Sequence, residues 1–309
     1  MTVLPSLDRL TFKPAPAPTG VARAYTLNSQ RPGRRDHKEV VWFADRAMLD
    51  DATCEAGGYC GFEAVFNLFP WIPQGANQHP FAAQLLRSDF ATQHVRSALG
   101  NSDYGIDSND VIAFSQKLYA DFLGAHTSLT TDEAMIARWL DVAKHAEVLV
   151  QPFFDPGMWA SAGHEVPSDH DGWKGLISAR LAAVESLVST AHNAELSVDF
   201  VINNGVHFQV LRMRDLHPNF PAYFEWDVID AWDINRQNRT KQAAFDRRVA
   251  LSTQAVVREL AAVLEMANPQ PIAMVIRPRI WQTRGMQRWL QQWEECRKLG
   301  TQLQQLLQS

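Results

Sequence analysis

The chain has 309 residues, 46% of them hydrophobic, and a formal net charge of −5. That suits one large or two modest domains with a sizeable core. A sequence pI near 6.1 argues against nucleic acid or an anionic membrane surface as a partner, and no apolar run reaches the length of about 18 residues that a membrane helix needs.

Residues 1–38 are rich in Pro, Arg, Ser and Thr and read as an extended or partly disordered lead-in. They lack the basic and apolar regions of a Sec-type signal. The expected location is the cytoplasm, or a host cytosol reached by secretion without such a signal. "EVVWFAD" (39–45) reads as a buried strand. Residues 60–69 have helical periodicity and end at Pro70 and Pro73. A helix is expected over 108–124, with Ser108 as its N-cap and Gly124 as its stop. Another covers 130–146, with a capping box from Thr130 to Glu133.

"EVLVQPFF" (147–154) reads as a strand. The loop 155–173 is long enough to be a lid or binding loop, and a helix follows over 174–193. Three strands are expected at 196–203, 206–213 and 222–232, from their β-branched and aromatic content. From about residue 242 the pattern is helical, broken at 268–279, and it ends in a Gln-rich amphipathic helix. Helices, then an antiparallel sheet, then helices make the fold class α+β.

Three cysteines in so long a chain form no disulfide framework and point to a reducing compartment. Their spacing supplies no zinc ligand set. The segment "HEVPSDHD" (164–171) gathers two His and several acids, but it matches no closed metal site and reads as a solvated loop. No metal and no cofactor are expected. No GxGxxG or Walker A pattern occurs, which argues against a nucleotide site. Trp139, Trp226 and Trp232 read as core residues. The stripe Trp289, Trp293 and Leu299 fits either core packing or a helical partner.

The chemistry concentrates at "CEAGGYCGFEAVFNLFPW" (54–71). A thiol at a helix N-terminus is pushed toward thiolate by unpaired N–H groups and the helix dipole. Gly57 and Gly58 permit a tight turn before Cys60, and Gly61 leaves room beside it. The plainer alternative is a buried core thiol.

A nucleophilic cysteine also needs a base and a group that orients it. His207 follows the turn-like "NNG". If strands 207–213 and 224–230 form a hairpin around "DLHPNFPA", pairing Arg214 with Tyr223 sets His207 opposite Asp230. Their Cβ atoms would then lie about 4.5–5.5 Å apart. Asp227 would face Val210 instead, and a slip of one or two residues would change the choice.

The order Cys, His, Asp is that of papain-like cysteine peptidases. "CGFEAVFNLF" resembles the Josephin-type deubiquitinases, in which the nucleophile opens a helix with an Asn seven residues on, here Cys60 and Asn67. His207-Phe208 and "WDVIDAW" match two further short blocks of that family. The resemblance implies a papain-like fold over 39–240 with a helical C-terminal extension at 241–309 packed on it. It also implies a Cys60–His207–Asp230 triad and cleavage after the C-terminal glycine of ubiquitin or a ubiquitin-like partner.

The family carries a Gln about five residues before its nucleophile, as an oxyanion donor. Here Glu55 stands there, and an ionised carboxylate would repel the developing charge. Asn203 and Asn204 are the alternative donors. The substrate cleft is expected to involve Gly58, Tyr59, Gly61, Phe208 and the loop flanked by Trp159 and Trp173. Two other functions stay open. The same triad would serve an amidase, a protein glutamine deamidase or a transglutaminase-like acyltransferase, and an impaired site would leave a binding module.

Overall fold

A computed structural model of the chain describes residues 23–27, 39–43, 61, 64, 65, 68, 107–125, 127, 130–190, 196–205, 208–214, 225–229, 251–278 and 286–308. The chain divides into two compact units, Met1–Ile106 with Ile229–Val249, and Asp107–Val228 with Ala250–Ser309. In the first unit, strands β1 (Arg23–Leu27) and β2 (Glu39–Phe43) pair antiparallel, Arg23 opposite Phe43 and Leu27 opposite Glu39. The strand expected from residue 39 is present. Its partner arises within the extended lead-in.

The second unit is α+β, as expected. Its helices are α1 (Ser108–Ala125), α2 (Glu133–Lys144), α3 (Ala146–Leu149), α4 (Pro156–Ser161), α5 (His170–Thr190), α6 (Thr253–Leu264) and α7 (Met286–Gln308). Its strands are β3 (Val150–Phe154), β4 (Leu196–Asn203), β5 (Phe208–Arg214), β6 (Glu225–Ile229), β7 (Leu251–Ser252) and β8 (Ile272–Pro278). They form one sheet in the order β3-β8-β4-β5-β6-β7. The pairs β3–β8, β8–β4, β4–β5 and β6–β7 are antiparallel. None of the described helices is long and apolar enough to cross a membrane.

The largest departure from the sequence reading is β8. The stretch 268–279 looked like a break between C-terminal helices. It instead supplies a wholly buried strand between β3 and β4. The segment 250–309 is therefore part of the unit that holds the sheet, where the sequence suggested a helical extension beginning at 241. "IAMVIRP" is a short apolar run of the kind that fills a sheet covered on both faces.

Local chemistry explains the smaller differences. Helix α1 is capped by Asp107, whose Oδ1 accepts the Asp110 N–H at 2.8 Å while Asp110 Oδ2 accepts the Asp107 N–H at 3.2 Å. Ser108, the expected cap, is buried one position later. Helix α2 is capped by Asp132, whose Oδ1 accepts from the Ala134 and Met135 N–H groups at 3.0 and 3.3 Å. Thr130 instead accepts from the Asp132 N–H. In both cases a carboxylate next to the helix takes the N-cap from a hydroxyl, gaining charge–dipole attraction. The strand expected at 147–154 begins only at Val150, because Ala146–Leu149 makes one helical turn. Pro152 is tolerated because β3 is an edge strand and its register shifts between Pro152 and Phe154.

Both faces of β4 are covered, since Leu196 to Ile202 are all buried. Strand alternation sends Phe200 one way, onto Phe153 (ring centroids 4.6 Å apart) and stacked on Trp226 at 5.2 Å. It sends Ser197 and Asp199 the other way. Asp199, fully buried, accepts at Oδ2 from Arg212 Nε and Arg277 Nε, both at 3.0 Å, and at Oδ1 from the Ser197 hydroxyl at 2.9 Å. Arg212 lies directly opposite Asp199 on β5, and Arg277 lies opposite Ser197 on β8.

Helices α1, α2 and α7 join through Tyr119–Trp293, Phe122–Trp289 and Trp139–Trp289, all edge-on at 5.6 to 6.1 Å. Trp289, Trp293 and Leu299 are thus core residues, as are Trp139 and Trp226; Trp232 lies outside the described residues. At Gly300 any side chain would collide with the Val148 carbonyl, so α7 lies directly on the backbone of α3. Gln151 Nε2 donates to both the Val148 and Gly300 carbonyls at 3.0 Å. Burial explains the Tyr119 phenol, which is pushed well above its ordinary value.

Two outcomes follow for stability. Asp199→Asn removes the charge that two buried guanidinium groups donate to, and urea unfolding is expected to show a loss of about 3–5 kcal/mol. Glu185 on α5 accepts from the Thr253 hydroxyl of α6 at 2.6 Å, and burial raises its carboxyl above the ordinary glutamate value. The folded chain then holds this proton more tightly than the unfolded one, so the group's contribution to stability is greatest below the ordinary value. That contribution is lost as pH rises through the raised value. Unfolding measured across that window should show Glu185→Gln gaining on the parent chain as pH rises.

Candidate functional site

Cys60, Glu55, Gly58, Tyr59, His207 and Asp230 lie outside the described residues. Their described neighbours carry the local structure. Gly61, Ala64, Val65 and Leu68 are helical and buried. Their spacing of i, i+3, i+4 and i+7 is one face of a helix turned to a core. In sequence, His207 directly precedes Phe208, the first residue of β5, and Asp230 directly follows Ile229, the last residue of β6. Strands β5 and β6 are hydrogen-bonded neighbours.

The turn ahead of His207 is partly described. Asn203 ends β4 opposite Phe208. Its Oδ1 accepts the Gly205 N–H at 2.9 Å, closing an Asx turn. The carbonyl end of that amide is therefore engaged in holding the turn, and Asn204 beside it is exposed. Gly205 has φ +88°, and a Cβ there would strike the Met266 methyl. Phe208 and Trp173, expected beside the cleft, are buried. Both are core residues at 6% and 4% exposure, with Trp173 edge-on to Phe154 of β3.

The segment 155–173 is more ordered than a lid loop. Asp155 caps α4, its Oδ1 accepting the Gly157 and Met158 N–H groups at 2.8 and 3.0 Å. Gly163 ends the helix at φ +82°, the left-handed position that suits glycine. The chain then folds back, stacking His164 on Trp159 with ring centroids 4.1 Å apart, while the Trp159 indole donates to the Glu165 carbonyl at 3.0 Å. His170, the second histidine of this segment, pairs with Glu265 at 2.9 Å. Among the described residues no three His, Cys, Asp or Glu side chains gather as a metal site would need.

This fold-back builds a cleft of about 160 Å³ between the end of β3, α4, α5 and the last turns of α7. Phe154, Met158, Trp159, His164, Arg180 and Leu307 line much of it. Arg180 lies over both the Phe154 and Trp159 rings, 5.3 Å from each centroid, within cation–π range. It donates to the Leu307 carbonyl in the last turn of α7. Burial lowers its pKa from the ordinary arginine value. The sequence reading singled out Trp159 and missed Arg180. Nothing in "ISARLAAVE" separates that arginine from other polar positions of an amphipathic helix, and its partners lie on β3, α4 and α7.

Gly205→Ala would force an L-residue into the left-handed region and against Met266. Chemical denaturation is expected to show a loss of about 1–3 kcal/mol.

Comparison with protein-family models, with curated proteins and with solved structures gave no match to this chain.

Proposed function

We propose that the chain is a cysteine hydrolase of papain-like fold, acting on the C-terminal glycine of ubiquitin or a ubiquitin-like protein. The observation that carries this reading is that Gly61, next to Cys60 in sequence, is helical and shares a buried helix face with Ala64, Val65 and Leu68. A helix anchored in that way presents N–H groups toward its start, where a thiolate is favoured. The neighbouring strands β5 and β6, flanked in sequence by His207 and Asp230, support the base and its orienting group. The connection 215–224 is shorter than the dozen or so residues a parallel crossover needs, which favours an antiparallel pair.

In this mechanism His207 takes the Cys60 proton and the thiolate attacks the carbonyl carbon of the scissile bond. The tetrahedral intermediate collapses to a thioester as His207 protonates the departing amine. Water, activated by His207, then attacks the thioester and releases the carboxylate and the thiol. Asp230 holds the imidazole tautomer and stabilises its positive charge.

The test is incubation with C-terminal electrophiles of ubiquitin and two or three ubiquitin-like proteins, read by intact mass. An adduct on the native chain, absent in Cys60→Ala, is expected. His207→Ala should slow hydrolysis of the matching C-terminal ester about 10²–10⁴-fold. Ester hydrolysis unchanged in Cys60→Ala would overturn the reading, and so would a folded chain that no electrophile modifies.

A further inference from the structure

The cleft beside α4 holds a cation that no carboxylate answers among the described residues. Arg180 lies over two adjoining aromatic rings, and its one hydrogen bond among the described residues goes to a neutral carbonyl. Its Nε is buried and has no hydrogen-bond partner there. Asp155, the nearest acid in sequence along the cleft wall, is committed to capping α4. A half-buried guanidinium without a counter-ion is costly, and the arrangement favours an anion that arrives from solution.

Around that charge the walls are mostly aromatic and aliphatic. Met158 at the rim is 60% exposed, and the Gln304 and Gln308 side chains add amide groups along α7. The volume, about 160 Å³, is close to the roughly 150 Å³ of a cavity that accepts one benzene ring.

From these features we infer that the cleft is a binding site for a small carboxylate carrying one apolar or aromatic group. The carboxylate pairs with Arg180 while the apolar body lies against Trp159, Phe154 and Met158. Arginine suits the task because its planar donor fork matches a carboxylate. All the residues involved belong to one compact unit, and the inference does not depend on the peptidase reading.

Phenylacetate and its neutral isostere phenylacetamide are the probes, titrated to about 10 mM into the full chain, a range suited to a weak site. Binding is followed by tryptophan fluorescence and by calorimetry. Phenylacetate is expected to bind at least about tenfold more tightly than the amide, as a charge-assisted pair requires. Trp159→Phe should reduce the fluorescence change and leave the calorimetric signal. Arg180→Gln should abolish the preference for the acid.

Because Arg180 also holds the end of α7, a second variant guards against misfolding. Gln308→Glu, at an exposed position of the wall, sets a carboxylate in the cleft and should weaken phenylacetate binding while leaving the amide unaffected. Equal affinity for acid and amide, no binding of either, or phenylacetate affinity unchanged in Gln308→Glu would each overturn the inference.

Discussion

The sheet of the second unit turns on one carboxylate. Asp199 sits in the middle of β4 with no solvent to screen it, and it takes donors from β5 on one side and β8 on the other. A charge in that position is tolerable only when it is paired and hydrogen-bonded. The pairing sets geometry as well as energy. A one-residue slip of β5 or β8 would carry Arg212 or Arg277 to the opposite face, because side chains alternate along a strand. The charged contacts and the apolar contacts of Phe200 therefore demand the same register from opposite faces.

That demand reaches into the end of the chain. Strand β8 lies between β3 and β4 although more than a hundred residues separate it in sequence from β3. The sheet cannot be completed until this late segment is in place, which makes its topology rich in distant contacts. Helix α7 follows the same logic. Its tryptophans pack on α1 and α2, and Gly300 allows its backbone to rest on α3. The C-terminal segment is thus part of the core, which explains why Trp289, Trp293 and Leu299 are buried within the unit.

The two proposals draw on different kinds of feature. The proposed hydrolase depends on short stretches where a reactive residue adjoins a regular element: Cys60 before helical Gly61, His207 before β5, and Asp230 after β6. The Arg180 cleft depends on convergence instead, with β3, α4, α5 and α7 each contributing one wall. In that cleft, helix α4 and the fold-back of His164 replace what looked like an open loop. The Asp155 cap and the left-handed Gly163 hold the segment at both ends.

Local pattern was enough wherever an element's own residues decide its state. Strand β4 was readable to its ends from its β-branched and aromatic residues, Val198, Phe200, Val201 and Ile202. The last helix was readable from its apolar stripe, and so was the helical face of Ala64, Val65 and Leu68. Single charges stand inside "LSVDFVIN", "VHFQVLRM" and "IAMVIRP", but nothing local says which charge meets which. Tertiary structure alone decided that Asp199 joins arginines 13 and 78 residues away, that residues 272–278 are a strand inside the sheet, and that Arg180 meets Leu307 across 127 residues. The physical reason is the same in each case: periodicity and propensity act over a few neighbouring residues, whereas buried charges and close-packed backbones are satisfied only by partners the chain brings from far away.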